Sequence, residues 1–304
     1  MFHYRAFELT FASAIELPDI VPLQAAPPQA DVTIRLGAVP DALPGQQDRE
    51  SWFQTTPDRT LLHIDEVGRY LIEDGARITV APVATADPDM VRLFLLGSAT
   101  GALLYQRGLL PLHGSAVEAD GGAMVFVGPQ GIGKSTLAAH FGQRGYRILG
   151  DDVCVVAVGL DGELQVLPAF PKLRLCPDAL ERLGRSTATL NKARFDGDKF
   201  VVPITGNLCP HPLPLRAIHL LSAGYAETIT IRPFLGFARA DGLLSNLYRP
   251  ELLPGLNSAA SVCALAITTT TRTRLIEIVH NRDAGRIEEL VDRLEQEWKT
   301  ASRL

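Results

Sequence analysis

The chain carries, at residues 128–136, the sequence Gly128-Pro129-Gln130-Gly131-Ile132-Gly133-Lys134-Ser135-Thr136. This segment matches the phosphate-binding pattern G-x-x-x-x-G-K-[ST], with a predicted strand at 123–127 before it and a predicted helix at 134–143 after it. Glycines allow the backbone to wind around a phosphate with its N–H groups pointing inward, and the helix adds its positive end. The segment therefore predicts a nucleotide-phosphate site in an α/β protein. A glycine-rich turn that opens an ordinary helix is the alternative interpretation.

Individual positions of this loop have predicted roles. Lys134 is expected to reach the β- and γ-phosphates of a nucleotide. The Ser135 hydroxyl is the expected direct ligand of Mg²⁺. A side chain at Gly128 or Gly133 is expected to block the approach of the phosphate to the backbone.

Two adjacent carboxylates, Asp151 and Asp152, follow the segment 146–149, one helix and one strand beyond Lys134. Adjacent side chains at a strand end cannot point the same way, so one can bind Mg²⁺ while the other faces an incoming nucleophile. Like charges at this spacing also raise the pKa of one carboxyl group, which suits a proton acceptor. A solvated turn is the alternative, because Gly150-Asp151-Asp152 is also good turn composition.

Composition and charge exclude several classes of protein. The chain has 304 residues, of which 46% are hydrophobic and 21% charged, as in folded globular proteins. Its net charge of −5 predicts neither a nucleic-acid nor a membrane partner. Residues 1–8 lack the pattern of a signal peptide, and the four cysteines have no C-x-x-C spacing. We therefore expect a cytoplasmic protein with free thiols.

The pattern along the chain predicts two domains, at residues 1–105 and 106–304. The first is β-rich, with short alternating segments such as 32–36 and 77–80 between turns rich in Pro, Gly and Asp. The apolar run at 93–112 is interpreted as a buried helix, because Gln106-Arg107-Gly108 interrupts it before about 20 apolar residues accumulate. The second domain alternates strands and helices, which predicts an α/β core with a mixed sheet. Its further predicted elements are strands at 153–158, 163–167, 216–221 and 274–279 and helices at 177–183 and 284–298.

Three segments together resemble the catalytic core of the HPr kinase/phosphorylase family: His113 to Val117, the loop at 128–136, and Arg144 to Asp152. The resemblance is greater to the divergent kinases that accompany lasso-peptide biosynthesis than to the founding enzymes. It implies a P-loop kinase core of the HPr kinase type after the β-rich domain.

The resemblance also implies an activity, namely transfer of the γ-phosphoryl group of ATP, with Mg²⁺, to a serine of a peptide or small protein. The C-terminal serine of a lasso-peptide precursor is one such acceptor. In the family pattern Asp151 is the base, Asp152 belongs to the metal site with Ser135, and His113 supports the base. Family members often form oligomers, which implies a homo-oligomer here, although no segment of the sequence identifies an interface.

The chain also departs from the founding enzymes. Their glycine-rich second signature is missing, and residues 170–175 and 186–199 occupy that region. This weakens the case for the reverse phosphorylase reaction and for HPr as the substrate. The first hundred residues do not resemble the family's regulatory domain and are a candidate for acceptor recognition. Lys172, Arg174 and Lys199 are candidate partners for an acceptor carboxylate, or plain solvated surface charges.

Two other functions remain open from the sequence. One is a kinase of a small hydroxylated metabolite on the same core. The other is a nucleotide-binding regulatory or scaffold protein without phosphoryl transfer, although such a protein would be expected to have lost some of Lys134, Ser135, Asp151 and Asp152.

Overall fold

The computed structural model describes residues 1–45, 51–193, 197–224, 228–236, 238–281 and 286–301. The chain divides into two units, one of Met1–Pro111 with Tyr248–Leu265 and one of Leu112–Leu247 with Ala266–Leu304. A single boundary near residue 106 assigns Tyr248–Leu265 to the second domain, whereas the structure assigns this segment to the first unit. The reason is long-range hydrogen bonding, since the Tyr105 hydroxyl donates to the carbonyl of Tyr248 at 2.8 Å.

The first unit is built on a β-sheet. Its described strands are β1 (Phe2–Ala6), β2 (Leu9–Ser13), β3 (Val21–Pro22), β4 (Val32–Leu36), β5 (Phe53–Thr56), β6 (Arg59–Ile64), β7 (Gly68–Glu73) and β8 (Arg77–Pro82). They lie in the order β3-β1-β2-β4-β8-β7-β6-β5. The strands predicted at 32–36 and 77–80 are confirmed as β4 and β8, which pair in parallel.

A helical segment follows this sheet. Helix α1 (Pro88–Phe94) starts at Asp87, whose side chain accepts a hydrogen bond from the Asp89 N–H, and it continues through a π-helical turn into α2 (Thr100–Gln106). The apolar run predicted as a buried helix is helical to Gln106, and its last residues belong to the next strand. A short 3-10 helix (Pro250–Leu252) also belongs to this unit. In the described ranges, every helix is too short or too polar to cross a membrane.

Strands and helices alternate in the rest of the chain. The elements are β9 (Leu110–Ala119), β10 (Gly122–Val127), α3 (Lys134–Gln143), β11 (Ile148–Gly150), β12 (Val153–Val158), β13 (Leu164–Leu167), β14 (Lys172–Leu175), α4 (Pro177–Arg182), β15 (Asn191–Lys192), β16 (Phe200–Pro203), β17 (Leu213–Ala223), β18 (Thr230–Pro233), α5 (Ala238–Leu244), α6 (Ala259–Arg272), β19 (Arg274–His280) and α7 (Ile287–Ala301). The helix at 134–143 and the strand at 153–158 are confirmed with the predicted bounds. The predicted start of the last helix, Ala284, lies outside the described residues, and α6 was not predicted.

The sheet of the second unit is mixed, as predicted. Its described strands follow the order β10-β9-β12-β13-β17-β19-β18, with β11 on β9 and a further pairing of β10 with β17. Strand β17 is parallel to both β10 and β19, whereas β9 pairs antiparallel with β10. The three parallel strands therefore end at the same edge, where the loop at 128–136 begins. A small separate sheet has the order β14-β16-β15.

An aromatic cluster fixes α7 against α3. Trp298 of α7 is 4% exposed, and its ring lies 4.9 Å from that of Phe141 in α3, centroid to centroid. Phe126 of β10 stacks on Phe141 at 5.8 Å. Phe141 lies in α3, the helix that follows the loop at 128–136. This packing therefore holds α3 against the sheet.

We expect Trp298→Ala to lower the free energy of unfolding by about 3–5 kcal/mol, because it opens a cavity in this cluster. Urea denaturation followed by circular dichroism measures the change. The neighbouring exposed Lys299 provides the control, since Lys299→Ala should change stability by less than about 0.5 kcal/mol. A loss for Trp298→Ala as small as the control's would show that the cluster does not hold α7 in place.

Candidate functional site

The backbone of the loop between β10 and α3 has the conformation that only glycine adopts readily. Gly128, Gly131 and Gly133 have φ angles of +147°, +78° and +106°. Gly133 caps the N-terminus of α3, whose first N–H groups have no partner within the helix. Free N–H groups at a helix N-terminus, together with the helix dipole, suit an anion such as a phosphate.

The structure corrects the expected reason for Gly128. A Cβ atom at this position would lie 2.4 Å from the carbonyl oxygen of Leu221 in β17, so the adjacent strand excludes any side chain. At Gly133 a Cβ would meet no heavy atom within 4 Å, and the positive φ is the constraint. Gly128 is thus required for the close approach of β10 and β17, whatever binds in the loop.

Lys134 is held by the loop itself. Its Nζ donates hydrogen bonds to the carbonyl oxygens of Gly128 at 2.7 Å and Pro129 at 3.0 Å. Burial lowers the pKa of Lys134 to about 8, although Asp151 opposes this shift. The ammonium group is therefore charged at neutral pH and lies where the loop can present it to an anion.

One cavity gathers the residues predicted as the site. It is lined by the sequence-predicted residues His113, Gln130, Gly131, Ile132, Gly133, Lys134, Ser135, Thr136, Asp151 and Asp152. Gly128 and Pro129 contribute their carbonyl oxygens to Lys134. The structure therefore brings the loop, the histidine and both carboxylates together.

The candidate cations divide into two groups. Arg174 and Lys199 line the cavity. Lys172 lies outside the described lining, with its Nζ 5.8 Å from the centre of the Phe170 ring.

Sequence reasoning missed a second group of lining residues: Cys176, Asp178, Arg182, His280, Asn281 and Ile287. They lie at α4, at the end of β19 and at the start of α7. The strand predicted at 274–279 could have pointed to His280 as a residue near the site. Residues that follow parallel strands lie close together when the strands end at the same sheet edge. The sequence alone did not show that this strand is parallel to β17.

Asp151 is buried and accepts a hydrogen bond at each carboxylate oxygen. It is 6% exposed. The Ser115 hydroxyl donates to Oδ1 at 2.6 Å, and the Arg174 backbone N–H donates to Oδ2 at 2.9 Å. Burial raises the pKa of this carboxyl group, and the charge of Asp152 adds to the rise, although hydrogen bonds from Ser115, Arg174 and the Ser135 side chain oppose it. Asp151 is therefore the more easily protonated of the two carboxylates.

Asp152 lies beside Arg174 and His113 and has the left-handed φ of +70°. Its Oδ2 lies 3.0 Å from Nη1 of Arg174, and its Oδ1 lies 3.4 Å from Nδ1 of His113. Burial alone would raise the pKa of Asp152, but Arg174, His113 and Lys199 together hold it well below its usual range. Asp152 is therefore an anion at any ordinary pH.

These contacts differ from the pairing that the family resemblance implied. His113, implied to support Asp151, contacts Asp152. Ser135, implied to share the metal site with Asp152, also acts on Asp151, since its side chain helps to lower the pKa of that carboxyl group. The physical reason is that the two side chains diverge, since Asp151 turns toward Ser115 in β9 while the left-handed Asp152 turns toward His113 and Arg174.

The donor set fits Mg²⁺ bound together with a phosphate. Mg²⁺ prefers oxygen ligands and is commonly held by one or two carboxylates plus substrate phosphates. In the part of the chain that the structure describes, there is no cluster of three or more His, Cys, Asp or Glu that forms a metal cage. The Ser135 hydroxyl and the adjacent carboxylates instead provide a partial oxygen set beside the phosphate loop.

Comparisons with known proteins give structural similarity but no sequence match. No family model matches the sequence, and no curated protein matches it significantly. Among solved structures, the chain is similar to the HPr(Ser) kinase/phosphatase from Coxiella burnetii, with 10% sequence identity and a TM-score of 0.33. The similarity covers 63% of this chain and 97% of that protein.

We expect Arg174→Met to lower the free energy of unfolding by about 2–3 kcal/mol, because it leaves the Asp152 carboxylate without its guanidinium partner. The two side chains are 15% and 21% exposed, so the loss is smaller than for a fully buried pair. The backbone hydrogen bond from residue 174 to Asp151 is kept. Urea denaturation measures the change.

Arg232→Met is the matched control, because it breaks the pair of Arg232 with Glu277, in which the arginine is 64% exposed. It should cost less than about 1 kcal/mol. Equal losses for the two variants would contradict the assignment of Arg174 as the partner that stabilises Asp152.

Proposed function

We propose that this protein transfers the γ-phosphoryl group of Mg-ATP to the serine hydroxyl of a peptide or small protein. The observation that supports this most is the meeting, in one cavity, of the glycine loop, Lys134 and two carboxylates whose pKa values are shifted in opposite directions. Phosphoryl transfer requires positioning and charge stabilisation more than covalent chemistry, and these groups provide both.

Each group has a role in this reaction. The loop N–H groups and Lys134 would bind the phosphates. Ser135 and Asp152 would hold Mg²⁺, which would supply charge neutralisation on the phosphoryl oxygens. Asp151 would accept the proton of the acceptor hydroxyl, because its surroundings favour the protonated form more than those of Asp152.

Asp152 would have a different role from Asp151, because its carboxylate stays ionised. It would keep its negative charge for the metal site, with His113 and Arg174 fixing its orientation. His113 therefore acts in this proposal through Asp152, and its effect on Asp151 is indirect.

The choice of acceptor rests on the resemblance of residues 113–152 to serine kinases. Arg182 and Lys199 in the cavity lining also suit an acceptor with a carboxylate close to its hydroxyl. The C-terminal serine of a lasso-peptide precursor combines these two groups. Residues 1–105 are proposed to take part in acceptor recognition.

We expect Asp151→Asn to lower the rate of phosphoryl transfer at least about 100-fold, because it removes the proton acceptor. Mass spectrometry of serine peptides incubated with Mg-ATP measures the transfer, and ADP release with serine, sugars and polyols tests small acceptors in parallel. Asp161→Asn, at an exposed turn, is the control and should keep its activity. Transfer to small molecules alone would contradict the peptide acceptor, and bound ATP that stays unchanged with every acceptor would contradict the kinase proposal.

We expect the affinity for ATP to fall as the pH rises above about 8, where Lys134 loses its proton in the free protein. Binding of the phosphates requires the ammonium form, so binding above this pH takes up a proton and Kd rises by up to about tenfold per pH unit. Calorimetric titration between about pH 7 and 9.5 measures the slope.

Lys134→Met should bind ATP more weakly and lose this rise in Kd, since it has no ammonium group to titrate. The same slope in wild type and variant would show that Lys134 is not the group responsible.

A further inference from the structure

Strand β9 lies between the strand that leads into the phosphate loop and the strand that leads into the aspartates. On one side it pairs antiparallel with β10, where Ser115 lies opposite Phe126 near the end of that strand. On the other side it pairs with β11, where Ala116 lies opposite Gly150, the residue before Asp151. The middle of β9 is therefore tied by main-chain pairing to both parts of the candidate site.

Two side chains of β9 each contact one of the aspartates. Residues two apart in a strand point to the same face, so His113 and Ser115 share a face of β9. Nδ1 of His113 lies 3.4 Å from Oδ1 of Asp152. The Ser115 hydroxyl donates to Oδ1 of Asp151 at 2.6 Å. The proposed phosphoryl transfer gives His113 a role through Asp152, but it gives Ser115 none.

The Ser115 hydroxyl acts on the reaction only through its neighbour. Its side chain is 0% exposed, so it does not meet a substrate. A serine hydroxyl has one proton to donate, and here Asp151 accepts it. Asp151 belongs to the described lining of the cavity, whereas Ser115 does not. Any effect of Ser115 on catalysis must therefore pass through the position of the Asp151 carboxylate.

Two donors from different strands hold this carboxylate. Ser115 of β9 donates to Oδ1, and the backbone N–H of Arg174 in β14 donates to Oδ2 at 2.9 Å. Each carboxylate oxygen has about two acceptor sites, so both oxygens keep capacity for a further donor such as an acceptor hydroxyl. The Arg174 contact comes from the main chain. The Ser115 contact is thus the one that a change of side chain removes.

We infer that Ser115 is a positioning residue, which holds the Asp151 carboxylate in the orientation that accepts the proton of the acceptor hydroxyl. The inference rests on the proposed function, because it concerns the proton acceptor of the same reaction. Loss of the hydrogen bond leaves the carboxylate free to turn away, and a misplacement of about 1 Å can lower a rate about 100-fold. The phosphate loop and Lys134 are unchanged, so turnover should fall while nucleotide binding is kept.

Ser115→Ala and Ser115→Cys in the full chain test this inference. Alanine removes the donor, and cysteine nearly keeps the shape of serine but is only a weak donor. We expect both variants to lower kcat between about 10- and 100-fold, measured with the acceptor that the wild type uses best. The Kd for ATP should stay within about twofold of the wild-type value.

Calorimetric titration with ATP gives this Kd and also the fraction of molecules that can bind. Expressing kcat per binding-competent molecule prevents a partly unfolded preparation from imitating the effect. Thr270→Val is the matched control, because Thr270 is also buried and its hydroxyl donates to the carbonyl of Ile267 at 2.7 Å. Thr270 lies in α6, outside the described lining of the cavity, so its variant should keep the wild-type kcat and Kd.

The outcomes separate this inference from the proposed function. A wild-type kcat in Ser115→Ala or Ser115→Cys, an equal loss in Thr270→Val, or a loss that appears in the Kd for ATP would overturn the role of Ser115. The kinase proposal would stand in each of these cases. A wild type that transfers no phosphoryl group to any acceptor would overturn both.

Discussion

The parallel pairing of β17 with β10 and β19 is the constraint on which the candidate site depends. It brings the ends of three strands to one edge, so the phosphate loop after β10 and His280 at the end of β19 border one cavity. The pairing is close enough that the Leu221 carbonyl leaves no room for a Cβ at residue 128. The glycine that starts the loop is therefore a requirement of the sheet before it is a requirement of any ligand.

Two carboxylates that are adjacent in sequence acquire different properties from their surroundings. Asp151 is buried among hydrogen-bond donors and has a raised pKa, whereas Asp152 lies among cationic groups and has a lowered one. Arg174 contacts both, through its backbone N–H and through its guanidinium group. Identical side chains can thus have pKa values shifted in opposite directions, because burial, hydrogen bonds and neighbouring charges differ between them.

Local signals in the sequence predicted much of the fold and the phosphate loop. The helix at 134–143 and the strand at 153–158 have strong local patterns, and their bounds were predicted correctly. Helix α6 was missed because its C-terminal half contains the β-branched run Thr268 to Thr271, which has low helix propensity. In this helix tertiary packing outweighs propensity.

The contacts of the site were harder to predict because they are long-range. Arg174 lies 23 residues beyond Asp151, and its contact depends on how β14 is placed by its pairing with β16. The direction in which each aspartate points depends on the left-handed backbone at Asp152, a conformation that is uncommon outside glycine. The sequence showed that the two side chains must diverge, but the partner of each came from the fold.

The two contacts of Arg174 differ in their tolerance of mutation. Any residue except proline has the backbone N–H that binds Asp151, whereas only a cationic side chain can pair with Asp152. A substitution at position 174 can therefore change the charge beside Asp152 while the backbone hydrogen bond to Asp151 is kept. A single codon change would then remove the guanidinium group beside Asp152 and keep the backbone hydrogen bond to Asp151.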